Sequence, residues 1–441
     1  MRRKIISIYN FVDKQSTLII YLFYLILIGI SSIIFCLVYS YNNNIVDLNN
    51  NIILKNIDFG HGQLIHNLYY EGTLNQKFNG LTFYLKKTLS LPIIIYLLSK
   101  ISLNYIFIIT AKNLIMYSIY FYICNYYRNY NNKSTFIFLL LLIVPIINAY
   151  NFQVSLNFNY EDNLIALILP MIYLTMNTKK NFKTYLILAF LLFFSYFTKT
   201  SMFFLVLLVP LLVFVIEKKN NYKILPILSV FMAIILWGFY GIKTTGKFPI
   251  GPSGSSFNSY VMAFSFNEKF HKFYPKYSTD RIGVEKPDRS IKDEWDFYEY
   301  YKNKNDEYFK HNKERLIRDL LIKLNFIFFN YQKDGLIDLK LETKTDYFSI
   351  VNRLFINFAV ISLLYYIYKN ILKRNISHRI LDERFKYNLY FICLFLISIA
   401  PHLVVWATSK HLVGIINVCI IFIIFSHEKF LDLKRYKISN K

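Results

Sequence analysis

Apolar runs dominate this chain. About ten of them, at residues 17–40, 102–124, 135–150, 163–175, 184–197, 201–216, 222–241, 349–368, 387–406 and 412–425, carry almost no charge. A helix needs roughly 20 apolar residues to cross the hydrocarbon core, so the longer runs predict spans, and the shorter ones predict tilted or partly buried spans. The expected fold class is therefore an all-α polytopic membrane protein with about ten transmembrane helices.

The polar loops set the expected topology. Residues 88–101 decide it, because a crossing there would switch the side of every later loop. The segment is short for a span and contains Pro92, so it is read as a helix lying at the outer surface. The basic clusters at Arg128/Lys133, Lys179/Lys180/Lys183, Lys218/Lys219/Lys223, Lys373/Arg374/Arg379 and Lys434/Arg435/Lys437 then share the side of the N-terminus. Only Lys199 and Lys410 stand in short loops on the opposite side. That arrangement obeys the positive-inside rule and predicts cytoplasmic termini, with the active face extracytoplasmic. Met1-Arg2-Arg3-Lys4 precedes an apolar run too long for a signal-peptide core, so the first span is expected to be retained.

Composition narrows the class further. Of 441 residues, 55% are hydrophobic and 19% aromatic, as in polytopic membrane proteins rather than large soluble enzymes. The net charge of +24 follows from basic cytoplasmic loops facing anionic lipid. No basic stripe lies on a soluble domain, so no nucleic-acid partner is expected. Cys36, Cys124, Cys393 and Cys419 all fall in apolar segments, with neither a disulfide framework nor a zinc-type spacing.

The organisation reads as three parts. Residues 1–242 form an N-terminal transmembrane module with a first outer loop at 41–101. Residues 243–348 form a small, mostly helical extracytoplasmic region, and 349–441 supply the last spans and a short cytoplasmic tail. The middle region, counted over 243–347, holds 16 of the 27 Asp and Glu residues, so its acids read as solvated surface. Within it, 293–329 reads as helical, with Leu316, Leu320, Leu321 and Leu324 at helical spacing.

Few charged groups remain between spans on the outer side. Asp58 precedes a helical-looking stretch at 64–70 and would serve either as an N-cap or turn carboxylate or as a base near the bilayer, with His61 close by. Glu161-Asp162 opens an apolar span. It would either complement the helix dipole or grip a hydroxyl or a divalent cation. Lys199 would either snorkel to lipid phosphate or bind an anionic ligand arriving from the membrane. Lys410-His411 and Lys86-Lys87 pose the same choice. Together the cations suggest a phosphate-bearing, membrane-borne substrate.

These residues carry a resemblance. The chain is similar to the GT-C superfamily of membrane glycosyltransferases, in the branch of the protein O-mannosyltransferases and the aminoarabinose transferases of lipid A. Asp58 through Tyr70-Glu71-Gly72 resembles the family's first-loop acid, short helix and glycine. Residues 79–87 with Leu91-Pro92 look like its outer loop leading into a juxtamembrane helix, and Glu161-Asp162 like its second acidic site. The segment ending in Thr198-Lys199-Thr200 and the pair Lys410-His411 resemble later family elements. The first-loop acid is followed by Phe59 where the family has a second acid, and Lys-Pro-Pro is absent.

The resemblance implies a GT-C-like bundle with outer juxtamembrane helices in a bacterial inner membrane. It implies a polyprenyl-phosphate sugar donor and a hydroxyl acceptor on a glycan, lipid or protein. Asp58 would be the general base. Lys199, Lys410, His411 and Lys86 would face the donor phosphate, and Glu161, Asp162 and His61 would hold the acceptor or a divalent cation. No other cofactor is implied. The alternatives are a polysaccharide polymerase or ligase with a lipid diphosphate donor, and a lipid-linked glycan flippase or transporter.

Overall fold

The computed structural model describes residues 17–42, 61–78, 80–85, 88–147, 161–217, 221–249, 251, 291–329, 347–372, 378–404 and 409–427. Helices account for nearly all of this, with one small hairpin. In chain order the elements are α1 (Thr17–Asn42), α2 (Gly62–Tyr70), β1 (Gln76–Phe78), β2 (Leu81–Phe83), α3 (Ser90–Ser99), α4 (Tyr105–Tyr130), α5 (Thr135–Ile147) and α6 (Asp162–Met176). They continue with α7 (Phe182–Tyr196), α8 (Phe203–Ile216), α9 (Ile224–Thr245), α10 (Glu294–His311), α11 (Lys313–Phe329), α12 (Tyr347–Leu372), α13 (His378–Val404) and α14 (Ser409–Ser426). Among the described residues, five helical segments are long and apolar enough to cross a membrane: Thr17–Val38, Tyr105–Tyr130, Asn221–Thr245, Ile350–Tyr368 and Lys386–Leu403. The remaining apolar helices are shorter and pack among them.

Side-chain pairs give the helix directions. Tyr21 stacks at a tilt on Phe121, 4.9 Å between centroids, while Asn113 donates to Ser32 Oγ at 3.0 Å, so α1 and α4 are antiparallel. Asn131 Nδ2 donates to the Asn177 carbonyl at 3.1 Å, which brings the C-terminal ends of α4 and α6 together. Glu217, at the end of α8, accepts from Tyr390 Oη at 2.8 Å and pairs with Lys386 at 3.3 Å near the start of α13. Lys183 lies over Tyr122 and Tyr126, and Phe182 meets Tyr222 edge-on. Arg128, Lys133, Lys179, Lys180, Lys183 and Lys223 thus gather at one end of the bundle, as the loop charges predict.

The core centres on α6, all of whose residues are buried. It packs against α4, α7 and α14. A methyl group on Gly414 would lie 2.7 Å from Leu169 Cδ1 and 2.8 Å from the Ile165 carbonyl, so α14 can seat against α6 only because that position lacks a side chain. Asn417 Nδ2 adds a hydrogen bond to the Ala166 carbonyl at 2.8 Å. Interhelical bonds of this kind average only about 0.6 kcal/mol in a bilayer, so close packing rather than the bond holds the pair. Tyr173 stacks on Phe425 further along, which makes α6 and α14 parallel.

The opposite end carries α2, the hairpin and α3. At ten residues α3 is about 15 Å long, half a hydrocarbon core, and does not span. The hairpin turns through Gly80 at φ +82°, a left-handed position that glycine adopts without strain. One expectation for the middle region needs correction. The predicted helix at 293–329 is broken at Asn312 into α10 and α11. Leu321 is also off the packed face of α11, at 60% exposed, whereas Lys323 and Ile327 are buried.

Candidate functional site

Four separated stretches of chain meet at the end of the bundle opposite the basic loops. α2 begins at Gly62, with His61 in the N-cap position, and the His61 ring is 1% exposed. α6 begins at Asp162, with Glu161 before it. The C-terminal end of α7 supplies Phe197, Thr198 and Lys199, and the start of α3 supplies Thr88, Leu89 and Ser90. The join between α3 and α7 is built from backbone chemistry. Leu89 N–H and Ser90 N–H both donate to the Phe197 carbonyl, at 3.0 and 2.9 Å. This satisfies orphan groups at a helix start and a helix end in one contact.

The charged groups then pair across these stretches. Lys199 Nζ donates to Asp162 Oδ1, with the ammonium 11% and the carboxylate 2% exposed. Glu161 Oε2 lies 3.4 Å from His61 Nδ1 and is 15% exposed. On its other side His61 Nε2 is 3.5 Å from Thr88 Oγ1, which donates its own proton to the Thr198 carbonyl at 2.8 Å. Because Thr88 spends its one proton there, its lone pairs face the imidazole.

These contacts show which partners the described site residues have. Glu161 makes no side-chain cap to α6, and its partner is His61 rather than the helix. Lys199 is engaged by Asp162 and does not simply reach for lipid. α2 starts after His61, which holds its N-cap position. With Asp162 held by an ammonium and Glu161 by an imidazole, a divalent cation would have to displace both. Among the described residues no group of three His, Cys, Asp or Glu is arranged to hold a metal.

Of the other predicted residues, Asp58 and Lys86 lie outside the described residues. Positions 410 and 411 are in the first turn of α14, one turn before Gly414, which touches Ile165. The parallel packing thus sets them at the same end as Asp162, and their side chains are outside the described set. A small crevice of about 10 Å³, room for a single water, begins one turn along α6 from Asp162. Ile165, Ser201, Ser398 and His402 are among its lining.

Several buried charges lie outside this cluster. Lys112 in α4, and Arg353 and Lys323 on α12 and α11, are all 0% exposed. Lys112 and Arg353 were visible as lone cations inside apolar runs, a signal that normally marks function or a buried polar partner. Glu294 was counted among solvated acids, yet it is 3% exposed and held by the first outer loop. No protein family matches this sequence, and neither curated proteins nor solved structures show a significant similarity to it.

Proposed function

We propose that the chain is a glycosyltransferase that moves a sugar from a polyprenyl-phosphate lipid to a hydroxyl acceptor at the end of the bundle bearing His61, Glu161, Asp162 and Lys199. One observation carries this reading: stretches far apart in sequence bring two carboxylates, an imidazole and an ammonium together at one end of a largely apolar bundle, while the remaining basic loops gather at the other end. Charges buried at such a boundary lose hydration and persist where they do chemistry or bind a ligand.

In this reading the shorter apolar helices complete a ten-span bundle. The basic end is cytoplasmic by the positive-inside rule, which sets both termini there in a bacterial inner membrane. Asp58 lies three residues before His61, so its Cα is within about 11 Å of the cluster whatever the path between them. The acceptor oxygen attacks the anomeric carbon, its proton passes to Asp58, and the bond from that carbon to the phosphate oxygen breaks. Charge then grows on the leaving lipid phosphate. Lys199 is the described cation closest to that role, joined by Lys410, His411 and Lys86. Glu161 and Asp162 orient the acceptor hydroxyl and keep His61 and Lys199 in place. A single displacement of this kind inverts the anomeric centre.

The test is glycan and lipid mass spectrometry of cells with the intact gene, without it, and with Asp58→Asn. A sugar present only with the intact gene supports transfer. An unchanged glycan and lipid profile in all three refutes it. A second reading, a lipid-linked glycan flippase, is favoured by Lys112, whose cation is buried within a span as a translocation path would need. Reconstituted vesicles that move a labelled lipid-linked sugar between leaflets without cleaving it would establish that reading instead.

A further inference from the structure

The segment that carries Thr88 to His61 is held by hydrogen bonds at both ends, and only one of these sets of bonds comes from the bundle, although the Leu85 side chain is itself buried in the bundle core. At its far end the anchors are the Phe197 and Thr198 carbonyls on α7. At its near end the backbone amides are held by a single side chain from the middle region. Glu294 Oε2 accepts the Leu85 N–H at 3.2 Å and Oε1 accepts the Tyr84 N–H at 3.4 Å. Lys86 and Lys87 lie between the anchors by covalent order alone.

This carboxylate is built into its place. Asp293 caps α10 by accepting from Trp295 N–H and Asp296 N–H at 2.7 and 2.9 Å, which fixes Glu294 as the first helical residue. Phe297, one turn's face away, meets Phe83 of the hairpin edge-on at 5.2 Å, and Tyr301 and Ile291 close the same apolar patch. The hairpin is tied in turn to α2, where Gln63 Oε1 accepts the Lys77 N–H at 2.9 Å. Two consecutive amides beyond the end of β2, Leu85 buried and Tyr84 half-buried, call for an acceptor. Glu294 supplies both oxygens.

We propose that Glu294 is a positioning residue: by holding the Tyr84 and Leu85 amides it fixes the segment that sets Thr88 against His61. The role couples the middle region to the cluster, and it rests on reading that cluster as the reaction centre. Apolar packing of Phe83 on Phe297 would dock α10 without it, but would not hold the two amides.

The experiment uses the full chain in lipid nanodiscs, as wild type, Glu294→Ala, Glu294→Gln and Phe297→Leu. Hydrogen exchange is read by mass spectrometry over residues 84–90 and 62–70, and His61 accessibility by its rate of modification with diethyl pyrocarbonate. Glu294→Ala should raise exchange over 84–90 about tenfold and speed His61 modification several-fold, leaving 62–70 unchanged. Glu294→Gln keeps one acceptor oxygen and should fall between, and it carries the test if the alanine variant fails to fold. Phe297→Leu should move neither readout. Unchanged exchange at 84–90 in the Glu294 variants overturns the proposal, as does raised exchange with His61 modification unchanged. If wild-type protein shows the protection and transfers no sugar, the transferase reading fails while the positioning role stands.

Discussion

The buried pair between Asp162 and Lys199 gives the sharpest energetic prediction. Removing one partner of a buried pair typically costs about 3–5 kcal/mol, most of it the penalty of the charge left behind. The two partners differ in how easily they escape that penalty. Asp162 is 2% exposed on a short side chain at the start of α6, while Lys199 is 11% exposed on a long flexible stem. Lys199→Met therefore takes the ammonium from a buried carboxylate on a short side chain, offset by only about 0.3–1 kcal/mol from the helix N-terminus. We expect Lys199→Met to cost about 3 kcal/mol and Asp162→Asn about 1–2 kcal/mol, because the freed ammonium can swing toward water. The double variant should cost less than the sum by about 2 kcal/mol, as contacting residues do. Denaturant unfolding of the four purified proteins in one detergent measures this directly. If the single effects add within about 0.5 kcal/mol, the two side chains are not coupled and the paired geometry is wrong.

Other outcomes follow from the same structure. Burial raises the Glu294 carboxyl from 4.5 to about 7, opposed by the Leu85 and Tyr84 amides and reinforced by Asp293; Tyr240 and Tyr84 are its other titratable neighbours. The docked state therefore holds a proton that the undocked one has lost between those values. Docking of α10 should be strongest below about pH 4.5 and weaken as pH rises to about 7; exchange over 294–301, corrected for its intrinsic pH dependence, should rise over that window and lose this rise in Glu294→Gln. Gly414→Ala should destabilise by about 1–3 kcal/mol through overpacking against Ile165 and Leu169, read by the same unfolding assay. Reporter fusions after Ile101 and Asn177 should report outer and cytoplasmic sides respectively; the reverse pattern would invert the face on which the proposed reaction occurs. In whole cells, Lys199→Met should impair use of the lipid donor more than acceptor binding, seen as accumulation of unused lipid-linked sugar.

Much of this was legible in the sequence because membrane insertion imposes strong local rules. Uninterrupted apolar runs marked the helices, and sorting Lys and Arg by loop brought Arg128, Lys180 and Lys223 to one end before any contact was known. The stranded charges Glu161, Asp162 and Lys199 were visible for the same reason. Their pairing was not, since it depends on how α6 and α7 pack. Asn79-Gly80 between Phe78 and Leu81 is a dipeptide that two-residue hairpins favour, so the hairpin carried a local signal despite strands of three residues. Glu294 carried none. Its partners are backbone amides more than two hundred residues away, and no side-chain pattern announces a main-chain donor.

The seating of Gly414 against Ile165 has a consequence for biogenesis. More than two hundred residues separate the end of α6 from the start of α14, so vectorial synthesis at about 5–20 residues per second leaves α6 without that wall for roughly ten seconds or longer. During the interval, lipid or the insertion machinery must shelter a helix whose finished form touches neither. Premature stop codons upstream of α14 would therefore spoil the seat of Glu161 and Asp162, with His61, Glu161, Asp162 and Lys199 already translated.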